Sequence, residues 1–162
     1  LLASGSGIST VFGGTNGLAP TWANVINLIG QVDTSNALSG SLGFATNAKV
    51  VKANRSTAKT PTDTASNFLQ PDAATLAGYR LASSQNVPSN LTRGSGTNLS
   101  ALLFGDWSQL VLAFWSELDI LVSPYDSTGF ASGSVLVRAM ATADVRLKQP
   151  LAFAALGDII AP

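Results

Sequence analysis

Gly105 and Asp106 stand between two apolar runs in LLFGDWSQLVLAFW, which spans Leu102 to Trp115. A carboxylate at the end of a strand can act as a general base, a nucleophile or a metal ligand. Asp106 has no acid or base partner close to it in sequence. A Gly-Asp pair between strands is also turn chemistry, because glycine accepts positive φ and the aspartate carboxylate bonds nearby backbone amides. The spacing therefore favours a structural turn made by Gly105, Asp106 and Trp107 over a catalytic carboxylate. Glu117 and Asp119 are two apart, so in a strand they share a face. Such a pair can do acid-base work or hold calcium. Leu118, Ile120 and Val122 would occupy the opposite face, and the two acids then read as the wet side of an ordinary strand. A hydrolase built on Asp106, Glu117 and Asp119 would need all three in one open cleft. Asp63, Asp72, Asp126, Asp144 and Asp158 show no EF-hand spacing.

Other chemistries are excluded by residue type. The chain of 162 residues has no Cys and no His. That removes thiolate and imidazole metal sites, Ser-His-Asp and Cys-His catalysis and any disulfide framework. GSGIS, GGTNG and RGSGTN are glycine-rich, but none has a dinucleotide or P-loop pattern. No catalytic residue, metal ligand or cofactor is expected. The aromatics Trp22, Trp107, Trp115, Tyr79 and Tyr125 serve either as core and interface anchors or as stacking platforms. A carbohydrate-binding or adhesin module using Trp107, Trp22 or Tyr125 stays open on the residues alone.

Nine basic and nine acidic residues give zero net charge, so no long-range field favours nucleic acid or an acidic membrane. Lys49, Lys52, Arg55 and Lys59 form the one basic cluster, without interleaved aromatics, and read as a solvated helix end. Charged residues make up only 11%, against about 25% in a typical soluble domain. Sparse charge suits a secreted adhesin-like module, or a subunit that buries much of its surface against copies of itself. The longest apolar run, Leu110 to Trp115, falls far short of the roughly 20 residues that span a bilayer. The opening LLASGSG lacks a signal-peptide pattern, and the chain reads as a soluble fragment of a longer protein.

These residues must be positioned by an α+β arrangement, a mixed or antiparallel sheet with flanking helices. Residues 1–20 are loop-like. Thr21 caps a helix over about 21–33, with Trp22, Val25, Ile26, Ile29 and Val32 at helical spacing. LGFA (42–45) is a short buried strand, and Asn47 caps a second helix through AKVVKA. The polar stretch 54–70 is a loop of about 17 residues, a length usually reserved for functional or disordered segments. Pro71-Asp72 starts a single helical turn closed by Gly78. YRLAS is a strand, VPSNLTRGSGTN a polar loop, and three strands follow at 101–104, 109–115 and 117–123. From 133 to 148 apolar residues alternate with Arg138, Asp144, Arg146 and other polar or larger ones, as one half-buried strand of roughly 50 Å. LAFAAL closes the chain, and an appendage to the main domain forms around 133–155.

The order of these motifs adds a resemblance. The stretch from LFGDW through PLAFAAL resembles the C-terminal half of tailed-phage major capsid proteins with the HK-97-like fold. It carries Phe104-Gly105-Asp106-Trp107, an apolar strand, a mixed strand, a long alternating strand with Arg138, and Pro150-Leu151-Ala152-Phe153. LAGYRLASSQNVP (Leu76–Pro88) is similar to the family's L-x-G-x-P-V…S…V-P strand, with Tyr79-Arg80 in place of small residues or Pro. GGTNGLAP matches the glycine-rich lead-in before the first helix. The resemblance covers roughly 8–156. It implies an A-domain-like core at 1–132 and P-domain-type strands at 133–162, without counterparts of the N-terminal arm, extended loop or spine helix.

The same resemblance implies a non-enzymatic structural subunit of a phage or prophage major capsid protein. Such a subunit assembles with copies of itself, as pentamers and hexamers, into an icosahedral virion capsid. It would be made in the bacterial cytoplasm, enclose DNA only non-specifically, and need no membrane and no cofactor. An encapsulin-like nanocompartment is the alternative on the same fold. Alone, the fragment is expected to be a monomer or weak oligomer. Subunit-interface candidates are Asn54, Arg55, Lys59, Phe68, Tyr125, Arg138 and Arg146, with the 54–75 loop facing the capsomer axis. Family members that crosslink use a Lys-Asn isopeptide bond; the asparagine and acid positions fall near Gly133 and Met140, which gives no support for crosslinking.

Overall fold

A computed structural model describes residues 6–60, 67–125, 129 and 132–161. Two compact units emerge, one of Leu1–Gln109 with Gln149–Pro162 and one of Leu110–Lys148. Within the second unit, residues 136–147 pair with residues 110–123.

The first unit is a seven-stranded mixed sheet. Its strands are β1 (Ser9–Val11), β2 (Leu42–Thr46), β3 (Thr75–Leu76), β4 (Tyr79–Ser83), β5 (Leu91–Arg93), β6 (Gly96–Asp106) and β11 (Phe153–Ile159). The order is β1-β11-β6-β2-β4-β3, with β5 also on β6. β6 is antiparallel to both β11 and β2, while β2–β4 and β1–β11 are parallel. Flanked on both edges, β6 is buried from Leu99 to Asp106. This explains the unbroken apolar run Ala101–Phe104, since a strand covered on both faces has no wet side to alternate with. Phe44 lies opposite Phe104, their ring centroids 4.5 Å apart, and Tyr79 meets Phe104 edge-on at 5.1 Å.

Helix α1 (Trp22–Thr34) begins where the Thr21 hydroxyl accepts the Asn24 amide at 3.3 Å. It buries Val25, Leu28 and Val32; Leu28 takes the place expected for Ile26 and Ile29 in the stripe. Helix α2 (Ala48–Ser56) begins at Asn47, whose side chain accepts the Val50 amide at 3.1 Å. Each cap satisfies one orphan amide of the first turn.

The expected helical turn after Pro71 is a β3–β4 hairpin instead. Ala77 and Gly78 sit at φ 51° and 84°, and two successive positive φ values make the tight turn whose twist suits a hairpin. VPSNLTRGSGTN is likewise a hairpin, with Leu91 opposite Leu99 and Arg93 opposite Gly96; its polar side chains hid the strand period.

The second unit consists of β7 (Leu110–Phe114), β8 (Asp119–Ser123), β9 (Leu136–Met140) and β10 (Ala143–Leu147). β7 pairs antiparallel with β10, and β8 with β9. The expected single strand at 133–148 is therefore two, broken at Ala141-Thr142. Four residues, 115–118, oppose those two. The mismatch is pinned by Trp115 N–H donating to the Thr142 carbonyl at 3.0 Å and Thr142 N–H donating to Ser116 Oγ at 3.0 Å. No helix among the described residues is long and apolar enough to cross a membrane.

Candidate functional site

Asp106 is the last residue of β6, with 2% of its surface exposed. Its carboxylate accepts the Ser41 amide at 2.8 Å, the Ser108 amide at 3.0 Å, the Ser108 hydroxyl at 2.7 Å and the Gln109 side-chain amide at 3.3 Å. Burial alone pushes the carboxyl up, but the Ser108 hydroxyl and amide, the Gln109 amide and the Ser41 amide together hold it below its ordinary value. The acceptor capacity is spent on holding 40–41 and 108–109 together, and little is left for a substrate.

Gly105 does not use a positive φ. It is needed for close approach: a Cβ there would lie 2.5 Å from the Ala152 carbonyl oxygen and from the Phe153 ring. Gly40, at φ 82°, would place a Cβ 2.5 Å from Asp106 Oδ2. Trp107 opens a short 3-10 turn (Trp107–Gln109). It donates from Nε1 to the Gly43 carbonyl at 3.0 Å and stands edge-on to Phe153 at 5.6 Å.

Glu117 and Asp119 belong to the second unit. Glu117 lies in the irregular 115–118 stretch rather than in a strand, so it does not share a strand face with Asp119. Asp106 is sealed, which removes the open cleft a three-carboxylate site requires. Among the described residues no group of three His, Cys, Asp or Glu side chains could hold a metal. Of the aromatic candidates, Trp107 is bonded to β2, Lys59 Nζ lies 3.8 Å over the Trp22 ring, and Tyr125 is exposed two residues after β8.

Of the interface candidates, Asn54 is corrected. It points into the first unit with no surface exposed, and neither side-chain polar atom has a hydrogen-bond partner among the described residues. The helical period explains this, because Asn54 follows Val50 by four on the buried face of α2. Arg55 is exposed. Lys59 and Phe68 come together at a cavity of about 650 Å³, also lined by Trp22, Leu69, Pro71 and Thr75. The ends of the 54–70 stretch are zipped there, with Lys59 N–H donating to the Asn67 carbonyl at 2.6 Å and Leu69 N–H to the Thr57 carbonyl at 3.0 Å. Residues 61–66 lie outside the described residues. Tyr125, Arg138 and Arg146 are exposed in the second unit, where Arg146 lies 3.4 Å from Asp144.

That second unit carries the largest feature the sequence did not announce. Directly opposed residues of an antiparallel pair share a face. In β7–β10 one face is Leu110, Leu112, Phe114, Ala143, Val145 and Leu147; in β8–β9 one face is Ile120, Val122, Val137 and Ala139. Both faces are wholly apolar and open: Leu112 is 55% exposed, Phe114 67% and Val137 59%. The other faces mix Asp119, Arg138, Asp144 and Arg146 with apolar residues. The alternation was legible in 133–148, but its apolar side was expected to be buried.

Residues 3–158 match the model of the phage capsid family. The chain belongs to that family. Its mixed sheet and two helices are the HK-97-like fold of capsid structures. A Mycobacterium phage Che8 structure superposes with a TM-score of 0.65 at 15% identity, covering 93% of this chain and 53% of that one. The capsid of an empty GTA particle gives 0.66 at 18% identity, covering 94% and 50%. The holo-SrpI encapsulin complex of Synechococcus elongatus PCC 7942 gives 0.58 at 13% identity, covering 98% and 55%. No curated protein sequence matches. The capsid-family chain thus spans about half the length of the solved chains it resembles.

Proposed function

We propose that this chain is the A-domain-like core and the P-domain-type strands of a shell subunit, which assembles with copies of itself into a closed icosahedral virion capsid. The observation that carries this reading is the pair of open apolar faces at 110–147, in a chain of the phage capsid family. A two-stranded ribbon is marginal in water by itself, and exposed apolar patches of this extent mark surfaces that another element covers. In a symmetric shell every subunit offers the same patches, and many weak contacts close into one stable lattice.

Arg55, Lys59, Phe68, Tyr125, Arg138 and Arg146 are the side chains proposed to meet neighbouring subunits, and the 54–75 segment to face the capsomer axis. Gly105, Asp106 and Trp107 act structurally, at the point where β6 passes into the ribbon. Zero net charge fits a wall that encloses DNA without reading its sequence. Assembly in the bacterial cytoplasm belongs to the same proposal.

A second reading, a nanocompartment shell, rests on the likeness to the encapsulin complex. Negative-stain electron microscopy of the complete gene product tests both. Uniform closed shells are expected; the proposal fails if the product stays monomeric under all assembly conditions. Nucleic acid in the shells favours a capsid, and enclosed enzyme favours a nanocompartment. Deleting the 54–75 segment is expected to impair capsomer formation, and normal shells from that deletion would remove the segment from the axis.

A further inference from the structure

Residues 12–18, FGGTNGL, run between β1 and α1 without a strand or helix of their own, and none of their side chains is buried. Apolar burial therefore does not hold them to the sheet. Polar bonds do, and these converge on one carboxylate 145 residues away in sequence. Asp158, in β11 and 1% exposed, accepts the Gly13 amide at 2.8 Å and the Gly14 amide at 3.1 Å. Its own carbonyl accepts the Leu18 amide at 3.0 Å, and Ile160 N–H returns to the Leu18 carbonyl at 2.9 Å.

Arg93 on β5 completes the arrangement. Its Nε donates to the Gly14 carbonyl at 2.9 Å and lies 3.6 Å from Asp158 Oδ2, while its guanidinium sits 3.5 Å from the Phe12 ring centroid. Farther along, Asn16 Oδ1 accepts the Ser95 amide at 3.1 Å. The glycines are required by contact: a Cβ on Gly17 would lie 2.7 Å from Leu99 Cδ2 and 2.9 Å from the Asp158 carbonyl oxygen.

We propose that residues 12–18 are a strap latched by Asp158, which opens as a unit from the end of β11 and the β5–β6 turn while the rest of the sheet stays folded. Segments with few buried apolar contacts open at lower free energy than the core they lie on. Two successive glycine amides make a concave donor pair suited to a carboxylate, and a buried charged acceptor supports stronger bonds than a neutral one. Closed, the strap covers the backbone of Asp158–Ile160. Open, it uncovers a strand end able to pair with another chain.

Amide hydrogen exchange followed by NMR, on this chain and on Asp158→Asn and Arg93→Met, tests the latch. In Asp158→Asn the amides of Gly13, Gly14, Leu18 and Ser95 should lose at least tenfold in protection, while those of Phe44 and Leu102–Phe104 stay within twofold. Arg93→Met keeps the amide bonds to Asp158 and should give a smaller loss, centred on Phe12 and Gly14. Unchanged strap protection in Asp158→Asn overturns the proposal. So does equal loss across β6, or failure of that variant to fold, because the carboxylate would then hold the whole sheet. A loss in Arg93→Met as large as in Asp158→Asn would move the latch to Arg93 and overturn it too.

Discussion

Ala101-Leu102-Leu103-Phe104 and Leu110-Val111-Leu112-Ala113-Phe114 are nearly the same peptide in composition, each ending in a phenylalanine, ten residues apart, and they have opposite fates. In β6, Phe104 is fully buried; in β7, Phe114 is two-thirds exposed. Neither propensity nor hydropathy separates them. What differs is the number of neighbours. β6 has β2 on one edge and β11 on the other, whereas among the described residues β7 has only β10. An apolar strand states that it must be covered, and the fold decides whether its own unit supplies the cover.

Phe104→Ala should have the largest effect on this chain. It deletes a fully buried ring that touches both Phe44 and Tyr79. A loss of about 3–5 kcal/mol is expected, read as a lower urea midpoint. A loss below about 1 kcal/mol would erase the contrast between the strands.

Asp106→Asn comes next, because Asp106 ends the buried strand just before the exposed one begins. Replacing a carboxylate that takes four hydrogen bonds should cost about 1.5–3 kcal/mol at neutral pH. The sign of the pH effect follows from the lowered pKa. The native group holds its proton more weakly than an unfolded aspartate of pKa about 3.9. Its stabilisation is therefore complete well above pH 4 and is lost as pH falls through the lower native value. Urea melts at stepped pH should show the gap between wild type and Asp106→Asn closing on acidification. A constant gap would mean that the carboxylate charge does not matter.

Ala77→Gly tests the edge of the sheet. Ala77 holds φ 51° in the β3–β4 turn, where a Cβ costs roughly 1 kcal/mol or more. Glycine should relieve that strain, in part offset by its greater unfolded entropy. A small rise in thermal midpoint is expected, and a fall would show that Ala77 makes packing contacts outweighing the strain.

The legible parts of the fold were those set by local chemistry. Thr21 and Asn47 announced both helix starts because capping depends on residues three apart. LGFA and YRLAS announced β2 and β4. The β3–β4 turn was hidden because Ala77 is an unusual residue for positive φ, so Pro71 suggested a helix instead. Asn54 looked like surface because amides usually are. Its burial on α2 needed the three-dimensional position of that helix. Asp158 was invisible as a latch because its partners, Gly13 and Gly14, lie at the far end of the chain. The open ribbon faces could not be read either, since the alternation at 133–148 shows that one side is apolar but not what lies over it.

The sharpest test of the comparison has the smallest effect on folding. Phe114→Ala and Val122→Lys change open faces of the ribbon, so each should shift the stability of this chain by no more than about 0.5 kcal/mol, and the lysine should raise its solubility. In the complete gene product the same substitutions should cut the yield of closed shells severely, because a lysine in a covered apolar face must be buried without a partner. Urea melts of the chain and particle counts by electron microscopy separate the two effects. If Phe114→Ala destabilises the isolated chain as much as Phe104→Ala does, the ribbon already has its cover within this sequence. If Val122→Lys leaves shells at normal yield, the face at Ile120, Val122 and Val137 stays wet in the assembly, and the surplus of apolar residues there is not an assembly surface.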